Sequence, residues 1–263
     1  MRARMLAGPL LLAFAAPPLA AQATPDQARL VITVGPGYSF GTDLWSVGKQ
    51  QYLKDATADT FALSRRIRES INFAASFTYF RSAVFGITGE VMLLGLGTTT
   101  HCRDVFVGGS ISTQAVCTAL EGSETGSSAV LISAGPVLRL TTRGVLSPYV
   151  RGTLGVVVTG SSTVETNAFL ADPPGQVTVN IYQDGHPGGL HPGATLAVGV
   201  TAQVSPGYQF RLEARDNIAS IRRVTGPTAR DGLEPPTESV FRHLPSIAIG
   251  FDIVLERHRG HRY

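Results

Sequence analysis

The chain has 263 residues, a formal charge of +3, two cysteines and a mean hydropathy of +0.14. That length suits one large domain or two small ones. No basic stripe with interleaved aromatics occurs, which argues against nucleic acid as a partner. After the N-terminal segment no apolar run is long enough for a membrane-crossing helix.

The first residues read as an export address. Arg2 and Arg4 form a basic start, Met5–Ala16 is apolar, and Pro17 and Pro18 break the run. Ala21-Gln22-Ala23 offers a small-x-small cleavage site, so residues 1–23 are read as a signal peptide and residues 24–263 as the mature domain. A retained anchor is the competing reading, and the short apolar run and the proline pair count against it. Loss of Arg2 and Arg4 leaves a charge of +1, so the sequence pI of 9.1 overstates how basic the exported chain is. Export implies an oxidising compartment. Cys102 and Cys117 are therefore expected to form one disulfide, worth roughly 3 kcal/mol for so short a loop. A metal site using His101 with both cysteines is the alternative, though structural sites usually supply four ligands at tighter spacing.

In chain order, apolar residues alternate with small or polar ones, the period of a two-faced strand. Ala28–Phe40 sets Leu30, Ile32 and Val34 against Arg29, Val31, Thr33 and Gly35. Gly41–Asp59 is mixed and reads as a loop. Phe61–Phe80 reads as one long strand with Phe61, Leu63, Ile67, Ile71, Phe73, Phe77 and Tyr79 on one face. Ala83–Gly97 sets Phe85, Ile87, Val91 and Leu93 against Gly86, Thr88, Glu90 and Met92. Thr98–Ser127 is a polar excursion that holds the cysteines. Ser128–Thr142 and Pro148–Thr159 are further strands, with Arg139 and Arg151 on their small-residue faces. Gly160–Pro192 is a second excursion, within which Val177, Val179 and Ile181 suggest a hairpin above the sheet. Gly193–Val204 turns through Ser205-Pro206-Gly207 into Tyr208–Asp216, where Tyr208, Phe210, Leu212 and Ala214 alternate with Gln209, Arg211, Glu213 and Arg215. Ile218–Arg242 reads as a long loop, Leu244–Leu255 as the last strand and Glu256–Tyr263 as a basic tail.

Tight and long connections alternate without exception. That order predicts an up-and-down antiparallel barrel of about eight strands, with all tight turns at one end and all long loops at the other. Alternation alone does not say which face is wet: a lipocalin-type barrel turns its apolar face inward, a membrane barrel outward. Three features favour the membrane barrel. Gly, Ser, Thr and Ala dominate the other face, as a narrow lumen requires. The central positions of the apolar face carry no charge, Arg65 and Glu69 breaking it only in the half nearer the loop, while on the small-residue face Arg29, Glu90, Arg139, Arg151, Arg211, Glu213, Arg215 and Asp252 form a candidate lumen ionic network. An Arg at mid-depth on the lipid side would cost about 2–4 kcal/mol. Lastly, Tyr79, Phe80, Phe85, Tyr149, Tyr208 and Phe210 gather near the tight turns, as an interfacial girdle would. Pro36 and Pro136 fall inside proposed strands, and each is expected at a bulge or a strand end.

The pattern from Ala28 to Leu255 resembles the small bacterial outer-membrane β-barrels of the outer membrane protein A/X-like superfamily. Arg211–Asp216, Arg-Leu-Glu-Ala-Arg-Asp, is similar to the penultimate strand of many such barrels, and Gly250–Leu255 resembles part of the barrel-assembly signal. Ala248 and the continuation to Tyr263 depart from that signal. The resemblance implies short periplasmic turns, long extracellular loops, and a location in the Gram-negative outer membrane. Its lipid and the barrel-assembly machinery would be partners of a monomer. It implies a structural or surface-interaction role with a plugged lumen, or alternatively a narrow passive pore; a lipid-modifying enzyme is a third class. His101, His186, His191, His243, His258 and His261 are read as loop or tail residues outside any Ser/His/acid grouping. No catalytic residue, resident metal or cofactor is expected.

Overall fold

The computed structural model describes residues 29–54, 57–106, 117, 124–125, 127–141, 145–160, 162–172, 175–186, 188–227 and 235–256. The expected signal peptide and the basic tail beyond Glu256 lie outside these. Eight strands close a barrel: β1 (Arg29–Ser39), β4 (Ser70–Phe80), β5 (Phe85–Gly95), β8 (Ser128–Arg139), β9 (Leu146–Thr159), β12 (Gly189–Ser205), β13 (Tyr208–Val224) and β14 (Thr237–Glu256). Each pairs antiparallel with its chain neighbour in the wall, and β1 closes the ring against β14. Pro206 and Gly207, the latter with φ of 82°, make a two-residue reversal between β12 and β13, a conformation that glycine adopts without a Cβ clash.

The alternation separates two solvents. Ile32, Phe77, Ile87, Ile132, Leu154, Val198, Phe210, Leu212, Ile249 and Phe251 stand exposed around the outer wall. Arg211, Glu213, Thr33, Ser76, Thr88, Thr153 and Asp252 are buried inside it. Apolar surface that encircles a barrel belongs in a bilayer. The lipocalin arrangement, with Phe210 and Leu212 around an enclosed pocket, is therefore ruled out.

Four readings change. Gly41–Asp59 is not a loop: β2 (Thr42–Lys54) and β3 (Thr57–Ile67) form a hairpin there. The long strand expected over Phe61–Phe80 is two, interrupted at Arg68 and Glu69, where β3 ends and β4 begins. Its parity is continuous but its surroundings are not. Leu63 and Ile67 are each 3% exposed, whereas Ile71 is 78% exposed on the outer wall. The third change is in Ile218–Arg242, where β13 and β14 stay paired as far as Val224 and Thr237 and project beyond the rest of the wall. Fourth, Phe80 and Tyr149 leave the predicted girdle: both are 3% exposed inside the lumen, packed with Val31 and Val137, while Tyr79, Phe85, Tyr208 and Phe210 remain outside.

The prolines resolve in an unexpected way. Pro36 and Pro136 sit within β1 and β8 with no register shift. Each follows a glycine, and the ladder on one side skips the Gly-Pro pair, resuming in the same register. On the other side Pro36 aligns with Phe73 and Pro136 with Ile87. A Cβ on Gly35 would lie 2.0 Å from the Ile249 carbonyl oxygen, and one on Gly135 would lie 2.1 Å from that of Gly152. Glycine allows the close approach beside the gap, and the proline's missing donor falls where no ladder partner is made.

Above the long-loop end, β2 and β3 join β6 (Thr98–Phe106) and β7 (Glu124–Thr125) in a four-stranded sheet. The expected second hairpin is β10 (Ser162–Asp172) with β11 (Gly175–His186). Cys102, opposite Leu63 in the β3–β6 ladder, is disulfide-bonded to Cys117.

Candidate functional site

The lumen ring is built on β9 and β13, whose odd positions turn inward, and on β5, whose even positions do, with β14 adding Asp252. Glu213 is its hub: it accepts hydrogen bonds from the Tyr149 hydroxyl and, at 2.7 Å, from Arg151 Nη2, and it is paired with Arg215 Nε. Arg151 Nη2 also lies 2.8 Å from Glu90 Oε2, so one guanidinium spans from β5 to β13. Arg215 Nη1 reaches Glu90 Oε2 at 3.5 Å. Arg211 donates to Asp252 through Nε at 3.1 Å and Nη2 at 3.0 Å, and lies over the Tyr149 ring. Three arginines thus meet three carboxylates in a site closed to water. Buried charges persist only when paired; here Glu213 and Asp252 are also hydrogen-bonded, whereas Glu90 and Arg215 are held by ion pairs without a hydrogen bond. None of the bridged strands β5, β9 and β13 is adjacent to another, so the ring spans the lumen.

Two residues of the predicted network lie at the tight-turn end. Arg29 opens β1, in register with Phe80 and Glu256. Arg139 stacks its guanidinium 3.7 Å from the centroid of Phe80. Tyr149 was missed as a ring member, although its position two residues before Arg151 puts it on the same face.

Toward the long loops the filling changes. Asn72 donates to Ser39 at 2.8 Å, Asn217 donates to Ser246 at 3.1 Å, and Thr195 bonds Asn217 Oδ1 at 3.1 Å. Beyond them Met92, Leu94, Ala129, Leu131 and Val157 form an apolar cluster that runs without a break into Leu44, Trp45, Val47, Leu63, Ile67 and Cys117. The sheet over the mouth is therefore a stopper seated in the barrel. Sequence reading missed it because β2 is bulged between Asp43 and Trp45 and again between Val47 and Gln50, which scrambles the period of two.

The histidines correct another expectation. His101, His186, His191 and His243 lie in β6, β11, β12 and β14, not in loops; His258 and His261 lie outside the described residues. His243 Nδ1 is 2.6 Å from Asp216 Oδ2, an exposed pair across β13 and β14. Among the described residues no group of three or more His, Cys, Asp or Glu is placed to hold a metal ion.

No protein-family model matches the sequence, and no curated protein does. Solved structures with similar folds are outer-membrane proteins. The chain is similar to OprG from Pseudomonas aeruginosa at 12% identity and a TM-score of 0.47, over 88% of this chain and 98% of that one. It is also similar to the outer membrane protein AlkL at 12% identity and 0.43, over 95% and 100%. Ail of Yersinia pestis matches at 12% and 0.40, over 87% and 99%. At such identities the likeness is one of architecture.

Proposed function

We propose that this chain, which folds as a small outer-membrane β-barrel, serves as a closed structural and surface-interaction body. The supporting observation is that two unlike materials fill one lumen. The Glu213-centred ring crosses it, and the apolar cluster under the β2–β3–β6–β7 sheet fills its outer half. A passive pore would need a continuous wet path, and a cluster holding Met92 and Leu131 at full burial leaves little room for one. The test is conductance of the refolded protein in a planar bilayer. The closed body gives no stable unitary current; reproducible channel steps from the wild-type protein would replace this reading with the pore.

A further inference from the structure

The outward side of the stopper carries a feature that a plug does not require. A cleft of about 510 Å³ opens between the four-stranded sheet and the projecting ends of β13 and β14. Arg65, Arg66, Arg223, Arg242 and His101 line it, with Asp43 as the lone carboxylate among the described lining residues and Glu69 and Glu238 paired to two of the arginines. We infer that this cleft binds a phosphorylated or sulfated sugar of mono- to disaccharide size. The inference rests on the surface-interaction reading above and names the class of ligand.

The geometry is that of a held site. Arg65 is buried, donates to Thr100 Oγ1 from Nε at 3.3 Å and from Nη2 at 3.2 Å, and lies over the Trp45 ring at 5.6 Å. Arg242 Nη2 donates to the Leu44 carbonyl at 2.7 Å, which ties β14 to β2, and its buried Nε has no hydrogen-bond acceptor. Arg66 lies 3.9 Å from Asp43 and 3.8 Å from Glu69, and Arg223 is paired with Glu238. Both of these guanidinia are partly exposed: the contacts of Arg66 are long and contribute little to stability, whereas Arg223 gives two hydrogen bonds to Glu238 that an incoming anion has to displace or share. Guanidinium forks match the oxygens of phosphate and sulfate, and several converging on one cleft select a multiply charged anion over a neutral sugar. The volume falls within the range of small-molecule sites and suits one or two sugar rings, while Trp45, buried beneath Arg65, underlies the cleft.

Such an anion has two sources beside an outer membrane: the phosphorylated glucosamine headgroup of the surrounding leaflet, or a soluble glycan. Trp45 is the only tryptophan of the chain, so its fluorescence reports on the floor of this cleft and the core beneath it. The protein refolded in zwitterionic detergent is titrated with glucose 1,6-bisphosphate, with glucose as control and calorimetry as the second readout. Saturable change with the bisphosphate and none with glucose is expected. In the double variant Arg66→Gln/Arg223→Gln, affinity is expected to fall at least tenfold while boiling still shifts gel mobility. A silent titration by both methods, an equal response to glucose, or full affinity in the folded double variant overturns the proposal. Repeating the titration in phosphatidylcholine nanodiscs with and without lipid A separates the sources. Weaker binding with lipid A present assigns the cleft to the leaflet headgroup, and unchanged binding assigns it to a soluble glycan. Conductance reads the closed-lumen reading independently, so the two fail separately.

Discussion

Glu213 is where the lumen is most sensitive. Its carboxylate takes hydrogen bonds from Tyr149 and Arg151 and an ion pair from Arg215, with Arg211 Nη1 a further 3.9 Å away. Glu213→Gln keeps the shape and removes the charge, leaving three buried arginines to Glu90 and Asp252. Breaking a buried pair by removing one partner costs about 3–5 kcal/mol. The amide oxygen still accepts one bond, and Glu90 still holds Arg151 and Arg215, so a loss of about 3 kcal/mol is expected. Arg151→Met should cost a similar amount, because it strips Glu90 and Glu213 together. The double variant restores charge balance and should be less damaged than the sum, with a coupling of about 2 kcal/mol. Equilibrium urea unfolding in phospholipid vesicles, followed by Trp45 emission and by gel mobility, measures all four species. Single losses below about 1 kcal/mol, or additivity within about 0.5 kcal/mol, would mean a hydrated ring and would refute the reasoning.

Other consequences are as concrete. Gly35→Val or Gly135→Val places carbon 2.0 or 2.1 Å from a carbonyl oxygen of the neighbouring strand, and should abolish the folded gel band. Gly89→Ala meets nothing within 4 Å and should be neutral to about 0.5 kcal/mol. Leu212→Arg, on the outer wall, should lower vesicle stability by about 2–4 kcal/mol; a neutral result would place that face in water. Cys102→Ser/Cys117→Ser should make the stopper more susceptible to protease while leaving the heat-induced gel shift intact, because the bridge lies in the sheet above the wall.

The barrel was legible because its strands obey one simple alternation. Ile32, Val34, Phe210, Leu212, Ile249 and Phe251 could be assigned to lipid by parity, and Arg211, Glu213 and Asp252 to the lumen, without knowing any pairing. The stopper was not legible, for a physical reason. Two bulges in β2 put Leu44, Trp45 and Val47 inside at irregular spacing, so no fixed period finds them. Parity also says nothing about the medium. Leu63 and Ile71 share it across the break at Arg68 and Glu69, yet one is packed under the sheet and the other faces acyl chains. Aromatic clustering near the tight turns suggested a girdle, but Tyr149 and Phe80 sit on inward positions, and there position outranks composition. The proline puzzle dissolved only with the ladders in hand, since nothing in one strand tells which neighbour a missing donor would have faced.

The β10–β11 hairpin stands apart from all of this. It is a two-stranded sheet that shares no ladder with another strand among the described residues, whereas the β2–β3 hairpin is wedded to the stopper. A foreign epitope spliced between Asp172 and Gly175 should therefore be displayed at the cell surface by an undisturbed carrier, whereas the same insertion into the β2–β3 hairpin should unseat the stopper.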